Sequence, residues 1–98
     1  MKTIYKYTLQ MNSGIPILMP KDSVVIKFAI QNNQPCIWAI VDTDSIYENR
    51  IFSVVGTGWQ IENNMRYIDT ILDGQFVWHL FEQTQNWSEK WIMYQTHG

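Results

Sequence analysis

The chain of 98 residues is long enough for one small domain and too short for a large hydrophobic core. Its net charge is −2, and its seven basic residues stand singly along the sequence, which argues against a protein that binds a nucleic-acid polymer. Only 16% of the residues are charged, yet five Trp, five Tyr and four Phe must be covered. We expect the surplus aromatic area to lie at a subunit interface or in a ligand pocket, which favours a homo-oligomer.

A single cysteine, Cys36, excludes an internal disulfide and a metal site built from several cysteines. It stands in an apolar stretch, which predicts a buried and inert thiol. The first residues lack the apolar segment of a signal peptide, and no apolar run approaches the ~18 residues that a membrane span needs. We therefore expect a soluble cytoplasmic protein without membrane contact.

Alternation of apolar and polar residues with a period of two predicts β-strands along most of the chain. Pro16 marks the second strand as an edge strand, because proline has no amide hydrogen to donate to a central ladder. The predicted strands, in chain order, are Thr3–Leu9, Ile15–Met19, Val24–Gln31, Gln34–Val41, Tyr47–Val55 and the two arms of a hairpin that turns at Asp73-Gly74.

The first hairpin is predicted at Asn32-Asn33, because asparagine tolerates the positive φ that a two-residue turn requires. This turn would place Phe28 opposite Ile37 and Ile26 opposite Ala39. Both faces of the hairpin would then be apolar, or nearly so. We expect both of them to be covered by other parts of the protein.

The second hairpin is predicted at Asp73-Gly74, which stands between two apolar runs and is the strongest short-range signal for such a turn. A turn at these two residues would place Ile71 opposite Phe76 and Ile68 opposite His79. Both faces would again be too apolar to be left in water, so cover on both sides is expected here as well.

Six to seven short antiparallel strands predict a mainly all-β fold, a meander that forms a small barrel or a sandwich. The β domain is expected over residues 1–82. A Trp-rich tail is expected over residues 83–98. In that tail Trp87, Trp91 and Tyr94 stand at helical spacing, which predicts one short C-terminal helix.

Gly56-Thr57-Gly58 is a candidate backbone site for an anion, since two glycines allow successive amides to point into one concavity and Thr57 adds a hydroxyl. The alternative is a bulge or a break in the strand, which the usual role of glycine in strands favours. Trp59 follows directly and could stack on a flat base. Arg50 or Arg66 could then contact a phosphate.

Trp78 and His79 are the other candidates for ligand contact. Trp78 either offers a second ring for stacking or fills the core or a subunit interface, and the latter is favoured. His79, with Thr70 and Arg66 on the same predicted face, could donate to a ligand or act as an acid or base. The structural alternative for His79 is favoured, because little else in the sequence supports catalysis. We predict no catalytic residue, no metal site and no cofactor.

Five segments together carry a resemblance to a known family: Met1-Lys2-Thr3-Ile4-Tyr5-Lys6-Tyr7, Met19-Pro20-Lys21, Gln34-Pro35-Cys36-Ile37-Trp38-Ala39-Ile40-Val41-Asp42, Gly56-Thr57-Gly58 and Leu72-Asp73-Gly74-Gln75-Phe76-Val77-Trp78-His79-Leu80-Phe81-Glu82. The chain resembles, over residues 1 to about 82, a small phage-encoded family of all-β proteins of unassigned function. The loop of that family reads Gly-Thr-Gly-His-Pro, whereas Trp59 and Gln60 stand in the last two places here. The resemblance implies a phage origin and supplies no catalytic residues. Small phage-encoded β-proteins include oligomers that sequester the nucleotide signals of bacterial immunity.

Three functions follow as hypotheses. The first is a non-enzymatic homo-oligomer in the cytoplasm of the infected bacterium that sequesters a nucleotide-derived signal between its subunits. The second is a phage accessory protein that binds and inhibits a host protein through its charge-poor aromatic surface. The third, ranked last, is an enzyme that acts on a nucleotide with His79 as the acid or base.

Overall fold

A computed structural model describes residues 1–11 and 14–84 of the chain. This part of the chain consists of strands and turns, as its β-branched and aromatic residues favour. The strands are β1 Lys2–Thr8, β2 Ile15–Pro20, β3 Val24–Gln31, β4 Gln34–Asp42, β5 Tyr47–Gly56, β6 Met65–Asp73 and β7 Phe76–Gln83. No part of the described chain forms a helix long and apolar enough to cross a membrane.

The seven strands form two antiparallel sheets. The three-stranded sheet has the order β1-β4-β3, and the four-stranded sheet has the order β2-β5-β7-β6. The sheets do not close into a barrel, so the all-β prediction is confirmed in its sandwich form. The helix predicted around Trp87, Trp91 and Tyr94 lies outside the described residues.

The core lies between the two sheets. Because side chains alternate along a strand, Ile37, Ala39 and Val41 of β4 face Phe52 and Val54 of β5 across it. The remaining fully covered members of this cluster are Leu9, Met19, Phe28 and Leu80. Both sheets therefore supply the core, as a sandwich requires.

Pro16 lies on β2 at the edge of the four-stranded sheet, as predicted. It pairs with Ile51 of β5, and its missing amide hydrogen therefore costs no bond to a second neighbouring strand.

The turn of the first hairpin is confirmed, since Asn32 and Asn33 both have positive φ, at 53° and 62°. Phe28 pairs with Ile37 as predicted, but the pairing of Ile26 with Ala39 is wrong. A β-bulge between Val25 and Lys27 shifts the register, and Val25 is the residue that pairs with Ala39.

The second hairpin is confirmed, but its turn lies one residue later than predicted. Asp73 pairs with Phe76, so Gly74 and Gln75 form the turn, and the φ of +60° falls on Gly74. A turn with positive φ at its first central residue alone is typical of type II′.

This shift moves every predicted pair in the second hairpin. Ile71 pairs with Trp78 instead of Phe76, and Thr70 instead of Ile68 pairs with His79. A β-bulge between Tyr67 and Asp69 shifts the register again further along.

Candidate functional site

The predicted Gly56-Thr57-Gly58 loop is a tight turn at the end of β5. The amide of Trp59 donates to the carbonyl oxygen of Gly56 at 3.1 Å, and Gly58 has a φ of +90°. Positive φ at the second central residue is typical of a type II turn and favours glycine. The strand thus ends here, and the amide of Trp59 is used within the turn. An anion at the amides of Thr57 and Gly58 stays a prediction.

The turn brings Trp59 back over β5 and beside Trp78 of β7. The two rings meet edge to face, with centroids 5.6 Å apart and an interplanar angle of 76°. Phe76 stacks on the Trp78 ring at 5.8 Å with an angle of 22°. Trp59 is 52% exposed and Phe76 is 54% exposed, so aromatic surface remains open to solvent. We call Trp59, Trp78 and Phe76 the aromatic shelf.

Gly56 lies in close contact with two rings of this shelf. A Cβ atom at position 56 would lie 3.0 Å from Cε2 and Nε1 of Trp59 and 3.3 Å from Cζ3 of Trp78. Both separations are closer than ordinary van der Waals contact. From the sequence, Gly56 was expected to allow an unusual backbone conformation. In the structure, its missing side chain allows two indole rings to come close to the strand.

Gly56→Ala is expected to lower the free energy of unfolding by about 1–3 kcal/mol, because the added methyl group overpacks the contact with Trp59. In a Trp59→Ala background the same substitution should cost less, since the ring that it meets first is gone. Urea denaturation of the two single variants and the double variant measures this difference. An equal cost of Gly56→Ala in both backgrounds would contradict the close approach.

His79 lies in a chain of side-chain hydrogen bonds on the outer face of the four-stranded sheet. Its Nε2 lies 3.0 Å from Oγ1 of Thr57, and its Nδ1 lies 2.9 Å from Oγ1 of Thr70. The Thr70 hydroxyl also lies 2.8 Å from the hydroxyl of Tyr67. Both partners that the structure gives the ring are hydroxyls, and they tie the turn after β5 to β6. Within the described part of the chain the ring is oriented by hydroxyls and not by a carboxylate, which favours the structural interpretation of His79.

The two arginines of the predicted site lie elsewhere, beside Glu82. Arg50 donates from Nε and Nη2 to Glu82 at 2.6 and 2.8 Å, and from Nη1 to the carbonyl oxygen of Ser23. Arg66 donates from Nη2 to Glu82 at 2.9 Å. Glu82 stands four residues from Trp78 on the same face of β7, which corresponds to about 13 Å of strand. The structure therefore places Trp59 and Trp78 together against Gly56, and it places His79 beside Thr57 on the opposite face of the sheet. Arg50 and Arg66 lie apart from both.

The predicted neighbourhood of Arg66 and His79 is wrong. Arg66 pairs with Glu82, three residues beyond His79 on β7. Since successive side chains of a strand point to opposite faces, Arg66 lies on the inner face of the sheet and His79 on the outer face.

Glu82 is a buried carboxylate that the sequence analysis did not single out. Its side chain is 11% exposed, that of Arg50 is 13% exposed and that of Arg66 is 59% exposed. Burial alone would raise the pKa of Glu82, but hydrogen bonds and charge from Arg50 and then Arg66 more than offset this and lower the pKa. The same bonds raise the pKa of Arg50. The sequence could have indicated this burial. Glu82, Leu80 and Trp78 stand at every second position of one strand, so all three side chains point to the same, inner face.

An open polar pocket of about 430 Å³ lies over this ion cluster. Asp22 and Glu48 line it together with Arg50, Arg66 and Glu82. Three carboxylates then face two guanidinium groups, so the local charge does not favour a phosphate.

Cys36 is free and buried, as predicted. The described residues contain no group of three His, Cys, Asp or Glu side chains placed to hold a metal ion.

Comparison with known proteins supplies a family and no activity. No curated protein and no solved structure matches the chain. One family model, described as a domain of unknown function, matches residues 1–90. Because this match covers most of the chain, the protein belongs to the family described as Domain of unknown function (DUF7352).

Proposed function

We propose that the protein is a non-enzymatic binding protein that holds a flat, nucleotide-like ligand on the aromatic shelf. The observation that carries the proposal is the pair of half-exposed rings of Trp59 and Phe76, held against Trp78, with Trp59 packed closely on Gly56. Stacking of one base on an aromatic side chain contributes about 1–3 kcal/mol. A ring that is already in place loses little conformational freedom on binding.

Polar groups beside the shelf would orient the ligand. Nε1 of Trp78 donates to Oδ2 of Asp73 at 3.4 Å, which places a carboxylate next to the stacked rings. This carboxylate would accept hydrogen bonds from an amino group of the base or from ribose hydroxyls. A phosphate would then lie at the turn before Trp59, where the amides of Thr57 and Gly58 would serve as donors.

The phage resemblance supports a narrower form of this proposal. The ligand would be a nucleotide signal of bacterial immunity, held in the cytoplasm of an infected cell by a homo-oligomer. Exposed Tyr67 and Leu72 on the outer face of the four-stranded sheet offer apolar area for subunit contact. Sequestration requires tight binding and no chemical step, in keeping with the hydroxyl partners of His79.

Thermal-shift measurements with cyclic nucleotides and ADP-ribose-type nucleotides test the proposal. At least one of them should raise the melting temperature, and heating should release that ligand intact. Trp59→Ala should weaken its binding about tenfold or more, because one stacking surface is lost. Tyr47→Ala is the matched control, since Tyr47 is an exposed ring at the other end of the neighbouring strand β5.

Two results would contradict the proposal. Release of a chemically altered nucleotide would indicate an enzyme. The absence of a shift with every nucleotide would leave the binding of a host protein as the better hypothesis.

A further inference from the structure

The outer face of the three-stranded sheet carries a row of aliphatic side chains that the core does not use. Ile4 of β1 pairs with Ile40 of β4, and Ile40 pairs with Val24 of β3. These three side chains are between 40% and 56% exposed. The sequence predicted cover on both faces of the β3–β4 hairpin, and the described residues leave this face open. Contiguous apolar side chains on a sheet face are typical of an interaction surface.

Lysines border the aliphatic row. Strand pairing places Lys6 and Lys27 on either side of Trp38, and Lys2 lies at the other end of β1 on the same face. These are three of the four lysines in the described part of the chain, the fourth being Lys21 in the turn before β3. Residues that stand singly in the sequence are therefore gathered on one face by strand pairing.

The carboxylate that pairs with this face is already engaged. Asp42 pairs with Lys2 in the ladder, but its Oδ1 accepts from the N-terminal ammonium group of Met1 at 3.1 Å. Asp44 binds the same ammonium group at 2.5 Å. The face is thus positive, whereas the whole chain carries a net charge of −2.

The edge of β1 is open beside this face. Of the described strands, only β4 pairs with β1, so one side of β1 presents its amides and carbonyl oxygens to solvent. A shallow groove lined by Lys2, Thr3, Ile4 and Ile40 lies across these two strands, with a volume of about 390 Å³. An added strand would seat a side chain there.

We propose that β1 and the lysine-bordered face bind an extended segment of a partner protein in which an apolar residue is flanked by carboxylates. Side chains of an added strand repeat with a period of two, as do Lys2, Ile4 and Lys6 on β1. The segment therefore has an acidic residue at its first and fifth positions and an apolar residue at its third, with any residue between them. Each carboxylate then meets a lysine, and the apolar side chain meets Ile4. This surface belongs to the other sheet and does not depend on the aromatic shelf.

Charge and shape favour this partner over two others. A second copy of the chain, docked by the same face, would bring the lysines of the two copies together. A single-stranded nucleic acid would need exposed ring faces, and among residues 1–11 and 14–84 only Trp38 supplies a ring on this face, itself partly covered. A protein strand that carries apolar and acidic side chains would contact both the aliphatic row and the lysines beside it.

The test uses a fluorescent peptide of sequence Thr-Glu-Thr-Leu-Thr-Glu-Thr and its counterpart with Lys in place of both Glu. In fluorescence anisotropy the Glu peptide should bind and the Lys peptide should not. Lys6→Glu should weaken binding of the Glu peptide about tenfold, because attraction becomes repulsion at one pair. Lys21→Glu is the matched control, with the same charge change off the face, and should alter binding less than about twofold.

A further variant separates charge recognition from loss of folding. Lys2→Glu combined with Lys6→Glu should bind the Lys peptide and reject the Glu peptide. Failure of the Glu peptide to bind, an equal effect of Lys21→Glu, or tighter binding of an oligothymidine would each overturn the proposal. Dimerisation through this face would also overturn it in favour of a second copy.

Discussion

Arg50→Met is expected to lower the free energy of unfolding by about 3–5 kcal/mol, because it leaves a buried carboxylate without its main partner. Arg50 supplies two of the three hydrogen bonds that Glu82 receives from arginines, at 2.6 and 2.8 Å. It also holds the carbonyl oxygen of Ser23 in the turn before β3 and lies over the ring of Phe52 at 5.6 Å. The variant thus removes a charge that joins the turn between β2 and β3 to β5 and β7.

Arg66→Met is the matched control for this prediction. It removes an arginine from the same carboxylate, but the Arg66 side chain is mostly in water, so its loss should cost about 0–1 kcal/mol. Urea denaturation of the two variants and the parent chain measures both values. If the two variants lost similar amounts of unfolding free energy, burial of the Arg50–Glu82 pair would not be what determines its contribution to stability.

The stability supplied by Arg50 should fall in acid. The pKa of Glu82 is lower in the folded chain than in the unfolded chain, so its contribution is present above about pH 4.3, the ordinary pKa of a glutamate. That contribution is lost as the pH falls through the folded-state pKa. The difference in unfolding free energy between the parent and Arg50→Met should therefore be smaller near about pH 3 than near about pH 7. An unchanged difference would contradict an ionised Glu82 as its source.

Leu80→Ala is expected to lower the free energy of unfolding by about 2–5 kcal/mol, because it opens a cavity in the middle of the core. Leu80 is fully buried on β7 and pairs with Val54, another member of the core cluster. Leu18→Ala is the matched control, since Leu18 lies on the same sheet with its side chain exposed. It should change the stability by less than about 0.5 kcal/mol.

The same denaturation experiments test the position of the core. A loss for Leu18→Ala as large as that for Leu80→Ala would mean that the outer face of β2 is as well covered as the interior. The two-layer sandwich would then be incomplete without another layer on that face.

Local chemistry accounts for the parts of the fold that could be predicted from the sequence. Asn32-Asn33 and Pro16 act through their own backbone preferences, so the first hairpin turn and the edge position of β2 were predictable. Register was predicted correctly next to the first turn, where Phe28 pairs with Ile37, and wrongly beyond the bulge in β3 and in the second hairpin. The errors come from two β-bulges and from the second turn at Gly74-Gln75. No pattern of alternation marks the extra residue of a bulge.

In the candidate site, too, contacts between residues close in the sequence could be predicted, and contacts made by strand pairing could not. Trp59 could be linked to Gly56 because they are close in the sequence. The ion cluster could not be predicted, since Arg50, Glu82 and Arg66 lie on three strands and meet only through the pairing order β5-β7-β6. The face that gathers Lys6 and Lys27 likewise requires β4 between their strands.

The proposed binding function depends on the aromatic shelf, and the indole N–H signals of tryptophan report on that shelf directly. The nucleotide that gives the largest thermal shift would be titrated into nitrogen-labelled protein while proton–nitrogen correlation spectra are recorded. We predict that the indole signals of Trp59 and Trp78 move together, whereas that of Trp38, on the other sheet, stays in place. Movement of the Trp38 signal alone, or of none of the three, would contradict a ligand site at the shelf.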